Sequence, residues 1–365
     1  MTRTTSIYGI ARAGLMAALL FTAAAQAAET PTAPVGADGG VTLPLAPGSL
    51  VLPFSSYASP EARTWFKHYA EVHAPPITDV PASRAFYDRM NSDRADRLRA
   101  LYPVTVTDQA MGGVPTQVVA PAKGPVAVDR VLINLHGGAF LWGAGAGGLV
   151  EAVPVAALSR IKVVTVDYRQ GPEHRFPTAS EDVAAVYKEL LKTYEPQNIG
   201  IYGCSAGGIL TAEAVAWFQT HGLPRPGAIG IFCAGLLDGG GDSQAWSALY
   251  GGQLPGPGLR LVDLPYFQGA DAQDPLVLPG VSPEVLAKFP PTLLITGTRD
   301  FMMSDTVHSQ DLLERAGVRA ELHVWDGMVH SFFSDPESPE ARAAYDVMAR
   351  FFTRELGRPQ AAGVR

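Results

Sequence analysis

Cysteine is nearly absent from this 365-residue chain, which holds only Cys204 and Cys233. A disulfide-built scaffold is therefore excluded. Basic residues are also the minority, 28 Lys and Arg against 35 Asp and Glu, for a net charge of −7. That balance argues against nucleic acid or an anionic membrane surface as the main partner. No internal repeat is visible, and no twin-arginine pair occurs near the start. The apolar run Gly14 to Ala25 falls short of the roughly 20 residues that a membrane-spanning helix needs. It follows Arg3 and Arg12 and runs into Ala25-Gln26-Ala27, a small-x-small site. Residues 1–28 thus read as a signal peptide cleaved near Ala27, and the mature protein as periplasmic or secreted without stable membrane insertion. Cleavage removes two arginines and no acid, leaving a net charge of −9. Export would permit a Cys204–Cys233 bridge, but two buried free thiols are the plainer reading, because most cysteine pairs miss disulfide geometry.

What remains is long enough for one large α/β domain. Residues 29–50 are rich in Pro, Gly and Ala without apolar period, as in a flexible mature N-terminus. Over 51–110 two helical stretches follow. Ser59-Pro60-Glu61 opens one that places Trp65, Phe66, Tyr69 and Val72 on one face, and the second covers about 82–101. They suit a helical cap or ordinary packing helices equally well. Over 111–358 strands and helices alternate. Val128 to Leu135 and Ile161 to Val166 are β-branched runs suited to strands buried on both faces. Thr178 with Glu181 has the spacing of a capping box before a helix at 183–191. Further strands are expected at 199–202, 228–233, 292–296 and 320–325, with helices after Ser205, at 305–316 and at 338–355. The segment 238–290 is loop-like. Repeated β-then-α order implies a mostly parallel sheet flanked by helices.

Gly203-Cys204-Ser205-Ala206-Gly207 sits where a strand gives way to a helix, the context of a nucleophile elbow. A serine hydroxyl is a weak nucleophile and needs a base, itself oriented by a third group. Downstream, Gly297-Thr298-Arg299-Asp300 and Asp326-Gly327-Met328-Val329-His330 follow two strands, at the sheet edge where open α/β folds assemble sites. Ser205, Asp300 and His330 thus make a candidate triad in the order of an α/β hydrolase. Asp305 and Asp326 are competing carboxylates, and Asp300 is preferred because it follows its strand directly. Upstream, His136-Gly137-Gly138-Ala139-Phe140 resembles a glycine-rich oxyanion loop, with Gly137, Gly138 and Ala206 as the expected N–H donors.

These motifs, with Asp167-Tyr168-Arg169 and Gly171-Pro172-Glu173-His174-Arg175-Phe176-Pro177, together resemble the hormone-sensitive-lipase family of bacterial carboxylesterases. The resemblance covers about 115–355. It implies an α/β-hydrolase fold with an N-terminal helical cap, no metal or cofactor, and hydrolysis of short-acyl esters through an acyl-enzyme. Two departures stand out: Cys204 replaces the usual acidic residue before the nucleophile, and Ala139 stands for the third loop glycine. The position of Ser205 in the motif makes it, rather than Cys204, the nucleophile.

Phe140 and Trp142, with Leu141, could line one side of a substrate pocket. Met328 and Phe332, with Trp325 and Phe333, could line the side near His330. Each of these loop residues is more often plain core, and Tyr57, Trp65 and Phe66 could close the pocket from the cap. Aromatic walls favour apolar esters over sugars. His174 reads as a structural brace. The remaining histidines (His68, His73, His221, His308 and His323) have no ligand-like company, so no metal is expected. The expected activity is on acetate to hexanoate esters. Lactone hydrolysis by the same triad is the alternative, and a non-catalytic binding protein on this fold is a more distant one. The substrate is a small molecule in either enzymatic case.

Overall fold

The computed structural model describes residues 36, 40–45, 48–251, 255–256 and 258–357. The leader-like segment 1–28 lies outside these residues.

Within the stretch read as patternless, β1 (Val41–Leu45) and β2 (Gly48–Leu52) form an antiparallel hairpin with Val41 opposite Leu52. Two helices follow, α1 (Pro60–Glu71) and α2 (Val80–Leu101). Ser59 caps α1 by accepting the Ala62 N–H at 3.0 Å, and Pro60 occupies the first turn, where its missing donor costs nothing. Ser59 also donates from its hydroxyl to Glu340 at 2.9 Å, which ties this helix start to the C-terminal helix. Asp79 caps α2 through the Ala82 N–H.

The sheet then builds from β3 (Val104–Met111), β4 (Val114–Pro121), β5 (Ala127–Leu135), β6 (Ile161–Val166), β7 (Ile199–Cys204), β8 (Ala228–Phe232), β9 (Thr292–Gly297) and β10 (Ala320–Trp325). Their spatial order is β10-β9-β8-β7-β5-β6-β4-β3. β3 and β4 are antiparallel additions at one edge, and the other six run parallel. β7 and β8 are buried along their whole length, as a parallel strand covered on both faces should be. The sheet therefore starts at Val104, inside the stretch assigned to the cap from sequence.

Helices α3 (Ala146–Ser159), α4 (Thr178–Leu190), α5 (Ala206–Thr220), α6 (Ser243–Tyr250), α7 (Pro283–Leu286), α8 (Met303–Arg315) and α9 (Pro339–Glu355) complete the layers. α3 carries no sequence signal, since Gly147 and Gly148 follow its first residue, Pro154 lies inside it and it is buried nearly all round. Such a helix has no amphipathic period to detect. At Gly148 a Cβ would lie 2.9 Å from the Thr165 Cβ, so the missing side chain lets α3 settle on β6. The capping box expected at the start of α4 does not form. Pro177 holds the cap position, and Glu181 instead pairs with Arg169 at 3.0 Å. The loop-like 238–290 segment contains α6 and α7. No helix among the described residues is long and apolar enough to cross a membrane.

Candidate active site

The strand ends bring Ser205, His330 and Asp300 into one line. Ser205 sits between β7 and α5 with φ 57° and ψ −123°, a conformation a non-glycine residue adopts only when its surroundings hold it. Its neighbours explain the tolerance: a Cβ at Gly207 would fall 1.7 Å from the Leu135 carbonyl oxygen, and one at Gly203 2.1 Å from the same atom. Only glycine lets the elbow press this close to β5. The Ser205 Oγ lies 2.9 Å from His330 Nε2, and His330 Nδ1 lies 2.7 Å from Asp300 Oδ1.

Asp300 is buried, and its second oxygen accepts from Thr296 Oγ1 at 3.0 Å while Oδ1 also accepts the Met302 N–H at 2.9 Å. Burial alone would raise its pKa, but the His330 imidazole and these donors together hold the carboxyl below its usual range. The rival carboxylates point elsewhere. Asp305 is held by Ser309 beneath the 235–241 loop, and Asp326 binds Thr298 and Ser55 on the outside. The Phe301 ring packs 4.2 Å from the His330 ring, a contact with no sequence signal.

The loop after β5 is braced from behind. His136 is fully buried, its ring stacked on Tyr168, and burial lowers its pKa so that it stays neutral. Its Nδ1 donates to the Gly137 carbonyl at 2.8 Å, leaving Nε2 to accept from Gln170 at 3.2 Å. The Asp167-Tyr168-Arg169 motif does three separate jobs. Asp167 accepts the Gly145 N–H, Tyr168 donates to the His136 carbonyl, and Arg169 pairs with Asp182. From α2, Arg84 binds Glu173 in bidentate fashion and also reaches the Leu141 and Gly171 carbonyls.

Trans peptides point N–H and C=O in opposite directions, so these braces fix where the loop donors face. The Gly137 carbonyl turns to His136 Nδ1 and the Gly138 carbonyl to the Leu141 and Trp142 N–H groups. The Gly138 and Ala139 N–H groups therefore face the other way, with no acceptor among the described residues. Ala206, first in α5, likewise has no intrahelical acceptor for its N–H. Gly137 differs from expectation. Its N–H turns toward the Glu151 carboxyl, and its Cα lies against Cys204 and Ser205. It seats the loop on the elbow instead of offering an open donor.

Three expected pocket residues are likewise corrected. Phe140 and Met328 are 0% exposed and Phe332 is 1% exposed. Phe140 stacks on Tyr266, while Met328 and Phe332 belong to the core beneath the histidine loop, so all three shape the site from behind. Phe66 is buried against Phe54, whereas Tyr57 is open to solvent. Trp142 remains accessible. It stacks on Tyr87 of α2 at 4.7 Å and borders a cleft of about 350 Å³ with Arg84, Asp88, Ser92 and Gln170.

Both cysteines are free and buried. Cys204 Sγ lies 2.9 Å from Ser331 Oγ, and Cys233 Sγ accepts the Ser331 N–H at 3.2 Å. Together they hold the residue after His330 against the elbow. Burial pushes both thiols upward in pKa, which makes them poor nucleophiles.

A hydroxyl, an imidazole and a buried carboxylate in series, beside outward N–H donors, define a serine hydrolase site. The family model described as alpha/beta hydrolase fold matches residues 132–334. Esterase LipU of Mycobacterium tuberculosis is 31% identical over 257 residues, 64% of this chain and 82% of that protein. The acetyl-hydrolase of Streptomyces hygroscopicus is 28% identical over 250 residues, 68% of this chain and 82% of the other. Among solved structures, esterase E25 aligns with a TM-score of 0.69 and 30% identity, over 84% of this chain and 97% of that one. An esterase from the bacterial hormone-sensitive lipase family aligns with a TM-score of 0.72 and 26% identity, over 82% and 99%. The chain belongs to the α/β-hydrolase fold family, in its bacterial hormone-sensitive-lipase group.

Proposed function

We propose that this protein is a serine carboxylesterase that hydrolyses short- to medium-chain esters through an acyl-enzyme. The Ser205–His330–Asp300 relay carries the reading. His330 Nε2 takes the Ser205 proton as Oγ attacks the ester carbonyl, and Asp300 stabilises the resulting imidazolium. The negative charge that develops on the carbonyl oxygen falls to the N–H groups of Gly138, Ala139 and Ala206. One such donor is worth on the order of 3 kcal/mol in the barrier. His330 then gives its proton to the departing alcohol. Water attacks the acyl-enzyme by the same route and frees the acid.

The likeness to an acetyl-hydrolase and to esterases supports acetate to hexanoate esters over long acyl chains. The leader-like residues 1–28 support export to the periplasm or medium. Purified protein assayed on p-nitrophenyl esters of two to sixteen carbons, with a medium-ring lactone alongside, tests the substrate class. The maximum should fall at or below six carbons. A maximum at twelve or more, or lactone turnover exceeding that of every linear ester, contradicts the proposal.

A further inference from the structure

Glu151 takes no part in the relay, yet it lies beneath both loops that build the site. It projects from α3 and is 8% exposed. Its Oε2 accepts a hydrogen bond of 3.0 Å from Asn134 Nδ2, on the strand that leads into the oxyanion loop. The N–H groups of Gly137 and Cys204 turn toward the same carboxyl. The Tyr202 hydroxyl reaches the Glu151 backbone carbonyl at 3.4 Å, fixing this turn of α3 against β7. One side chain thus faces β5, the first glycine of the loop and the residue before Ser205. The elbow supplies no carboxyl of its own, because Cys204 stands at that position.

The titratable groups that face Glu151 are Tyr168 beyond β6 and Tyr202 and Cys204 on β7. Burial drives all three toward their neutral forms, and no cation acts on Glu151 among the described groups. A charge formed there would meet no counter-ion.

We propose that Glu151 is a positioning residue for acyl transfer: its carboxyl, bonded to Asn134 beneath the loop, latches the oxyanion loop to the nucleophile elbow, and a negative charge placed there would weaken catalysis by standing behind the anionic intermediate. Burial pushes this carboxyl up to about 8, against the pull of Asn134 and of the Gly137 and Cys204 N–H groups. It is therefore mostly protonated at neutral pH and charged above that value. Like charges repel strongly across a dry loop, and the transition state carries more charge than the bound ester, so kcat should respond more than KM.

The inference rests on the Ser205 esterase reading. Steady-state kinetics on p-nitrophenyl butyrate from pH 6 to 9 for wild type, Glu151→Gln and Glu151→Leu test it. Wild-type kcat should fall above about pH 8 with KM steady. Glu151→Gln should have a several-fold lower kcat at pH 7 and lack the alkaline fall. Glu151→Leu, which deletes the latch, should lower kcat about tenfold or more at every pH. An alkaline fall that survives in Glu151→Gln overturns the proposal, as does wild-type kcat in Glu151→Leu. Should the leucine variant fail to fold, the glutamine profile decides alone. A wild type inactive on every ester removes the underlying reading, which is a different failure from an active enzyme with an unaltered limb.

Discussion

Arg299 donates from Nη2 to the Pro53 carbonyl at 2.8 Å across 246 positions of sequence. Its guanidinium lies over the rings of Phe54 at 4.4 Å, Phe66 at 4.8 Å and Tyr250 at 4.4 Å. Because Arg299 directly precedes Asp300, the chain before α1, α1 itself and α6 are clamped to the acid loop. Desolvated cation–π contacts are worth up to about 2 kcal/mol each, though not additively. Arg299→Ala should therefore lower unfolding stability by about 2–4 kcal/mol, read as a shifted urea midpoint with unchanged slope. A midpoint within error of wild type would show the clamp to be inert.

Phe140 and Trp142 are two residues apart and should behave oppositely. Phe140 is fully buried, so Phe140→Ala should cost about 3–5 kcal/mol of stability. Trp142 is accessible and sits where its backbone N–H holds the Gly138 carbonyl of the oxyanion loop, so Trp142→Ala should raise KM for butyrate esters while stability changes by only about 1 kcal/mol. Equal KM effects from both would return Phe140 to the pocket wall.

Asp300 orients His330, and Asp300→Asn should lower kcat/KM on the order of 10³- to 10⁴-fold. The same carboxyl is held below its unfolded value. Its contribution to stability is therefore present above the unfolded pKa and disappears as pH falls through the folded one. Unfolding free energy should drop more steeply below pH 4 in wild type than in Asp300→Asn.

Glu213, on the elbow helix, has the opposite sign. It is fully buried, neither oxygen has a hydrogen-bond partner among the described residues, and burial raises its pKa well above the usual carboxylate range. The unfolded chain loses this proton first, so stability falls as pH rises from about 4.3 toward the folded value. Glu213→Met should raise Tm, and by more at pH 8 than at pH 5. A variant less stable than wild type at both values would indicate a satisfied site.

The relay was legible in sequence because each member sits in a short glycine-flanked motif just past a strand, where local chemistry dictates the turn. Side-chain direction was not. Phe140, Met328 and Phe332 carry the composition of a pocket, yet the positive φ of Ala139 and Phe140 turns the loop so that the phenyl ring points into the core. Gly137 looked like an oxyanion donor by position, but the His136 brace settles which peptides face outward. Glu151 gave no signal because α3 lacks amphipathic period. Its partners come from β5, the loop and β7, which are neighbours only in the folded sheet. Phe301 beside His330 was equally hidden.

The central claim is that Ser205 is an activated nucleophile. Fluorophosphonate labelling of the folded protein, followed by mass spectrometry of its peptides, tests this most directly. The account predicts a single adduct on Ser205, formed within minutes and absent from Ser205→Ala. An unlabelled wild type, or an adduct on Cys204, would contradict it.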